Sequence, residues 1–133
     1  MIVVDTNVLA AFLLSTSQTP AALSVHAKDP EWAAPPLWRS ELRSVLVQHV
    51  RAGHLDPEAA QEAVELAVDA IVHEQDVLSL DVLELALASG CSSYHCEFIA
   101  LAKALATPLV TLDRALLREF PAIALAPAGF VAG

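Results

Sequence analysis

The chain has 133 residues, about the size of one ordinary domain, and a hydrophobic share of 56% to which alanine contributes heavily. Its longest apolar stretches, such as Ile2-Val3-Val4 and Phe98 to Leu105, fall short of the roughly 18 residues that suggest a membrane span, and no basic-then-apolar leader opens the sequence. A formal net charge of −9 argues against binding nucleic acid through a general basic surface, while allowing carboxylates that hold cations and a surface that meets a basic partner.

The predicted elements alternate between strand-like apolar runs and helical patterns, which indicates an α/β domain with a mainly parallel sheet of four or five strands over residues 1–133. Ile2 to Asp5 reads as the first strand, and Thr6 and Asn7 can cap the helix after it. A second helix is expected from Ala21 to Ala27, and a second strand from Trp32 to Ala34. Pro35 and Pro36 suit a first helical turn and open a helix to about Arg51, which Gly53 ends. Asp56-Pro57 starts the next helix, expected to run to about His73. Val77 to Leu80 reads as the third strand, Asp81 begins a short helix ending near Gly90, and Ser92 or Ser93 caps a further helix through Ala106. Pro108 to Leu112 is the fourth strand, Arg114 to Glu119 makes one or two helical turns, and Ala122 to Leu125 is a last short strand. Cys91 and Cys96 have no C-x-x-C spacing and are too few for a zinc cage, so free thiols in a reducing cytoplasm are expected.

Open parallel sheets place their sites beyond the carboxyl ends of the strands. Asp5 and Asp113 both stand there, although either alone could simply cap the following helix. Glu41 adds a third carboxylate. At about 100° per residue it falls between Leu37 and Val45, at the margin of the apolar arc formed by Trp38, Leu42, Val45 and His49. A carboxylate facing the core margin needs compensation, which a metal ion would supply; a pair with Arg39 or Arg43, or simple exposure, is the alternative. In the segment Ser92 to Ala102, the residues Tyr94, Phe98, Leu101 and Ala102, with Leu105, form the expected buried face. His95 lies at one edge of that face, and Glu97 roughly 160° away near the other. His26, His49, His54 and His73 show no ligand spacing and read as surface or satisfied core residues.

These segments carry a family resemblance. Val3-Val4-Asp5-Thr6-Asn7-Val8-Leu9, Pro36-Leu37-Trp38-Arg39-Ser40-Glu41-Leu42 and Leu109-Val110-Thr111-Leu112-Asp113 resemble, in this order, three motifs of the PIN domain, the fold of the VapC-type toxin ribonucleases. Together they span almost the whole chain. The resemblance implies a three-layer α/β/α domain and metal-dependent cleavage of RNA, with Asp5, Glu41 and Asp113 as the catalytic metal-site carboxylates. It also implies Thr6, Asn7 and Thr111 as supporting hydrogen-bond groups, a small antitoxin as partner, and a homodimer. Leu46, Val47, Val50, Val68, Ile71 and Val72, apolar beyond one core face, are the expected homodimer interface, with an antitoxin groove as the alternative use. Where the family carries an aspartate after the tyrosine, this chain has His95. That change removes a negative charge and replaces a hard oxygen by an imidazole nitrogen, which manganese, iron or zinc accept more readily than magnesium. The metal set is therefore Asp5, Glu41 and Asp113 with His95 and Glu97 as further candidates, for Mg2+ or Mn2+. Arg39, Arg43 and Arg114 are candidate phosphate contacts, with solvated or ion-paired surface arginines as the equal alternative. Beside the ribonuclease stand two other readings. One is a degenerate PIN domain kept as a binding or regulatory protein, and the other is a different metal-dependent nuclease or phosphatase of similar fold.

Overall fold

A computed structural model describes residues 1–133. The element order is β1 (Ile2–Val4), α1 (Thr6–Leu13), α2 (Thr19–Lys28), β2 (Trp32–Ala34), α3 (Trp38–Arg51), α4 (Pro57–Ala70), β3 (Ile71–Glu74), α5 (Ser79–Ser89), α6 (Ser93–Leu105), β4 (Leu109–Val110), α7 (Arg114–Glu119), β5 (Ala124–Leu125) and α8 (Pro127–Ala132). The five strands form one sheet in the order β3-β2-β1-β4-β5, and every pairing is parallel. Val3 stands opposite Ala33 on one side and Leu109 on the other. Every residue of β1, β2 and β4 is buried, as expected of parallel strands covered on both faces, whose sequences lose the polar alternation of a half-exposed strand. The chain grows outward from β1 through β2 to β3, then crosses to β4 and β5 on the other side. The sheet order therefore reverses between β1 and β4, and a crevice opens beyond their carboxyl ends.

Two tryptophans and Phe98 are among the largest fully buried side chains. The Trp32 indole N–H donates to the Asp29 carbonyl at 2.8 Å, and its ring meets the edges of Phe12 and His26. His26 is thus a packed residue at the core margin. No helix is long and apolar enough to cross a membrane.

The sequence misplaced the third strand. It is Ile71–Glu74, paired with β2 from Trp32 opposite Ile71 to Ala34 opposite Glu74, and not Val77 to Leu80. Ile71 is already extended, so α4 stops at Ala70 rather than His73. The consecutive β-branched pair Ile71-Val72 favours a pleated strand over another helical turn. Leu78 and Leu80, placed in a strand by their apolarity, are 72% and 64% exposed and belong to the cap and first turn of α5, which starts at Ser79. Three smaller corrections follow. Asp5 caps α1, in place of Thr6 or Asn7, which lie inside the helix. Tyr94 is 62% exposed and is not on the buried face of α6. A final helix, α8, packs near α2 and β5 and was not anticipated. Of the expected interface residues, Leu46 and Ile71 are buried within the chain, while Val47, Val68 and Val72 are exposed.

Candidate active site

Asp5 follows β1, where the backbone turns from strand into α1. Its carboxylate is only 4% exposed. Oδ1 accepts the Thr6 amide at 2.8 Å, Oδ2 accepts the Thr111 hydroxyl at 2.7 Å, and the Asn7 amide nitrogen lies 3.5 Å from Oδ2. Glu41 sits in the first turn of α3, half-buried as the helical wheel predicts, and its Oε1 accepts the Thr6 hydroxyl at 2.8 Å. The Thr6 amide and hydroxyl thus bind two different carboxylates.

Asp113 stands three residues past β4 and caps α7, with Oδ1 accepting the Leu116 amide at 2.9 Å. Its own amide donates to Thr111 Oγ1 at 3.0 Å, so one buried hydroxyl ties Asp113 to Asp5. Asn7 Oδ1 accepts the Leu112 amide at 3.2 Å, which joins the end of β4 to α1. His95 is the third residue of α6, with its amide donating to the Ser92 hydroxyl at 3.1 Å. Its Nε2 lies 3.5 Å from Asp113 Oδ2, close enough for an ion pair when the ring is protonated.

Asp5, Thr6, Asn7, Glu41, Ser44, Val45 and His95 line one cleft of about 300 Å³. Asp113 does not line it and is joined to it only through its contacts with His95 and Thr111. Ser44 was not foreseen, although its place one turn after Glu41 on α3 is the available signal. Glu97 does not line the cleft. It borders a neighbouring hollow with Asp76, Val77, Ser79, Val82, Leu83 and Ser93.

Burial pushes the Asp5 carboxyl above the ordinary aspartate value, against the hydrogen bonds from Thr111 and Thr6 and the attraction of His95, while Asp113 adds repulsion. Burial likewise raises Glu41, against the Thr6 hydroxyl, and the charge of Asp5 pushes in the same direction. No lysine or arginine forms a salt bridge with Asp5 or Glu41. Glu97 is also raised, by burial and then by Asp76.

Arg39 is engaged elsewhere. Its Nε donates to Glu74 Oε1 at 2.8 Å, where the Trp38 indole N–H also donates at 2.8 Å, and its guanidinium lies 4.8 Å from the Trp38 ring centroid. Arg43 borders a groove between α3 and α4 together with Arg51, Leu46, Val47 and Val50. Arg114 is exposed on the first turn of α7.

The donor chemistry of the cleft fits a divalent cation: hard carboxylate oxygens, buried at Asp5 and half-buried at Glu41, with no lysine or arginine salt-bridged to either and the His95 imidazole as the basic group beside them. As they stand, however, no three His, Cys, Asp or Glu side chains are grouped to hold a metal ion. The fit is one of donor chemistry.

An open parallel α/β fold with a carboxylate cleft at its switch point defines the class. A family model described as "PIN domain" matches residues 2–121, and the chain belongs to the PIN-domain family. It is 29% identical over 126 residues to Ribonuclease VapC3 of Pyrobaculum aerophilum, covering 92% of this chain and 96% of that protein. The crystal structure of PAE2754 from Pyrobaculum aerophilum superposes with a TM-score of 0.80 at 22% identity, over 98% of this chain and 92% of that one. A toxin-antitoxin complex from Klebsiella pneumoniae gives a TM-score of 0.65 at 18% identity, over 96% and 98%. At these identities the two structures speak for the fold.

Proposed function

We propose that this chain is a divalent-metal-dependent endoribonuclease, acting as a single domain over residues 1–133 and as the toxin of a toxin-antitoxin pair in the cytoplasm. The observation that carries the reading is the shared cleft of Asp5, Glu41 and His95 at the switch point of a PIN-family chain. The similarity to Ribonuclease VapC3 supports RNA as substrate, and the likeness to a toxin-antitoxin complex supports an antitoxin partner. Asp5, Glu41 and Asp113 would hold Mg2+ or Mn2+, with His95 as a nitrogen donor beside Asp113. When bound, the cation supplies Lewis-acid stabilisation of phosphate charge and an acidified water.

The remaining work belongs to the chain. Thr111 and the Thr6 amide hold Asp5 with both carboxylate oxygens hydrogen-bonded. The Thr6 hydroxyl orients Glu41. Ser44, exposed at the cleft wall, offers a hydroxyl to a phosphate or ribose oxygen. With no basic side chain salt-bridged to Asp5 or Glu41, the metal-free cleft repels the RNA backbone, so cleavage requires cations.

A second reading, a degenerate PIN domain that binds without cutting, is favoured by two observations. His95 engages Asp113 in place of an acid, and no three ligands are grouped. Metal titration by calorimetry and RNA cleavage in Mg2+ and Mn2+ separate the two. The nuclease reading expects wild-type cleavage, faster in Mn2+ than in Mg2+, and about tenfold or greater loss of metal affinity in His95→Ala. The degenerate reading expects an inert wild type that gains Mg2+ affinity and activity in His95→Asp. Equal rates in Mg2+ for wild type and His95→Asp would show that position 95 is immaterial.

A further inference from the structure

Helix α6 begins beside a pair of thiols that the cleft does not use. Its cap is Ser92, whose hydroxyl accepts the His95 amide. Cys91 is the residue before the cap, and Cys96 is the fourth residue of the helix. These are the two positions that a hydrophobic staple brings together across a helix cap. Both cysteines here are free, Cys96 fully buried and Cys91 partly exposed. Both pack in the small apolar cluster of Val82, Cys96 and Ala100, with Val77, Leu85 and Phe120 against it. The Ser89 hydroxyl touches both residues, accepting the Cys91 amide at 3.1 Å and lying 3.9 Å from Cys96 Sγ. Gly90, left-handed at φ 77, makes the bend that returns Cys91 toward the helix.

We propose that Cys91 and Cys96 form an oxidisable pair that closes into an intramolecular disulfide across the start of α6, with a small disulfide or a peroxide as oxidant. Cys96 is fully buried and Cys91 only partly, so an oxidant meets Cys91 first. With a disulfide oxidant, the Cys91 thiolate attacks one sulfur of the oxidant and expels a thiolate, leaving a mixed disulfide. The Cys96 sulfur then attacks the Cys91 sulfur, forms the Cys91–Cys96 bond and expels the second thiolate. Two electrons pass to the oxidant, and the two thiol protons go to the departing thiolates. With a peroxide, Cys91 becomes a sulfenic acid and Cys96 displaces its hydroxyl as water. Closure pins the residue before the cap to the second turn, and His95 lies between the two sulfurs in the chain. The bond therefore resets the turn that presents His95 to Asp113.

The test uses the native chain with oxidised dithiothreitol and, in parallel, hydrogen peroxide. Protein is then denatured, alkylated without reduction and digested with trypsin. The peptide from Ala52 to Lys103 carries both cysteines. The expected result is a denatured chain with no disulfide to a second chain, whose peptide has lost two hydrogens, with both sites unalkylated until a reductant is added. Cys91→Ser under the same conditions should keep Cys96 alkylatable. Alkylation of both wild-type cysteines, or disulfide-linked dimers with no intramolecular product, would overturn the pair. The His95 ring proton resonances should move on oxidation and return on reduction, while those of His26, stacked on Phe12, stay in place. Disulfide formation with an unmoved His95 signal would overturn the coupling to the cleft. Neither readout depends on RNA cleavage.

Discussion

The Thr111 hydroxyl donates to Asp5 Oδ2 at 2.7 Å and accepts the Asp113 amide at 3.0 Å, so a single buried oxygen sets the separation of two carboxylates. Thr111→Val keeps the volume and removes both bonds. It leaves the Asp113 amide and a buried carboxylate oxygen each short of a partner, and should cost about 1–3 kcal/mol. Metal affinity should fall by roughly 10–100-fold, as when a ligand loses its supporting contact. Denaturant melts and calorimetry would check the two effects separately. A second expectation concerns pH. Burial raises the Asp5 and Glu41 carboxyls, so the folded chain keeps these protons to higher pH than the unfolded chain does. The stability from their neutral forms is complete below the unfolded values, about 4, and is lost as pH rises through the higher folded values. In chelator, the thermal midpoint should therefore drop across this window. Asp5→Asn, which cannot ionise, should show a shallower drop, and added Mn2+ should raise the midpoint of the wild type but not of the variant. Equal slopes with and without the carboxyl would remove Asp5 as the source.

At the scale of elements, α3 is aimed by its first turn. Trp38, 1% exposed, anchors it in the core, and the Trp38 indole and Arg39 guanidinium both donate to Glu74 at the end of β3. Glu74 thus joins the edge strand to the turn that carries Glu41. Glu74→Ala leaves the Trp38 N–H without a partner and should cost about 1–3 kcal/mol. It should also weaken metal binding several-fold by loosening Glu41, whereas Glu74→Gln, which keeps an acceptor, should restore most of the stability. An unchanged metal affinity in Glu74→Ala would mean that α3 is positioned by its core contacts alone. Helix α5 is different. Leu80, Leu83 and Leu87 lie within about 60° of one another on its wheel and are 64%, 55% and 86% exposed.

At the scale of the whole molecule, that exposed apolar arc is a candidate association surface beside the exposed Val47, Val68 and Val72, while Leu46 and Ile71 are absorbed by the core. Contiguous apolar surface of this kind marks an interface. A homodimer is the expected state, measured by light scattering coupled to size exclusion. Leu83→Glu and Leu87→Glu should give folded monomers. A wild-type chain that elutes as a monomer at tens of micromolar would count against the dimer.

The α/β class and parallel sheet were legible in the sequence, as were the strand-end positions of Asp5 and Asp113 and the half-burial of Glu41. Buried parallel strands write continuous apolar runs, strand-end aspartates mark switch-point sites, and a glutamate at the edge of a helical apolar arc reports its own burial. The third strand was not legible. Val77-Leu78-Ser79-Leu80 and Ile71-Val72 are both short apolar runs, and only pairing with Trp32 and Ala34 selects the second. Nor was the partner of any polar side chain. Thr6 could have served as a cap, Arg39 as a phosphate contact and Glu97 as a ligand. Tertiary packing gave the Thr6 hydroxyl to Glu41 and Arg39 to Glu74, and set Glu97 in the hollow beside Asp76, where its charge still acts on Glu41. The physical reason is one of range. Periodicity and capping act over a few residues along the chain, whereas the pairing of Thr111 with Asp5, 106 residues apart, exists only once β1 and β4 lie side by side.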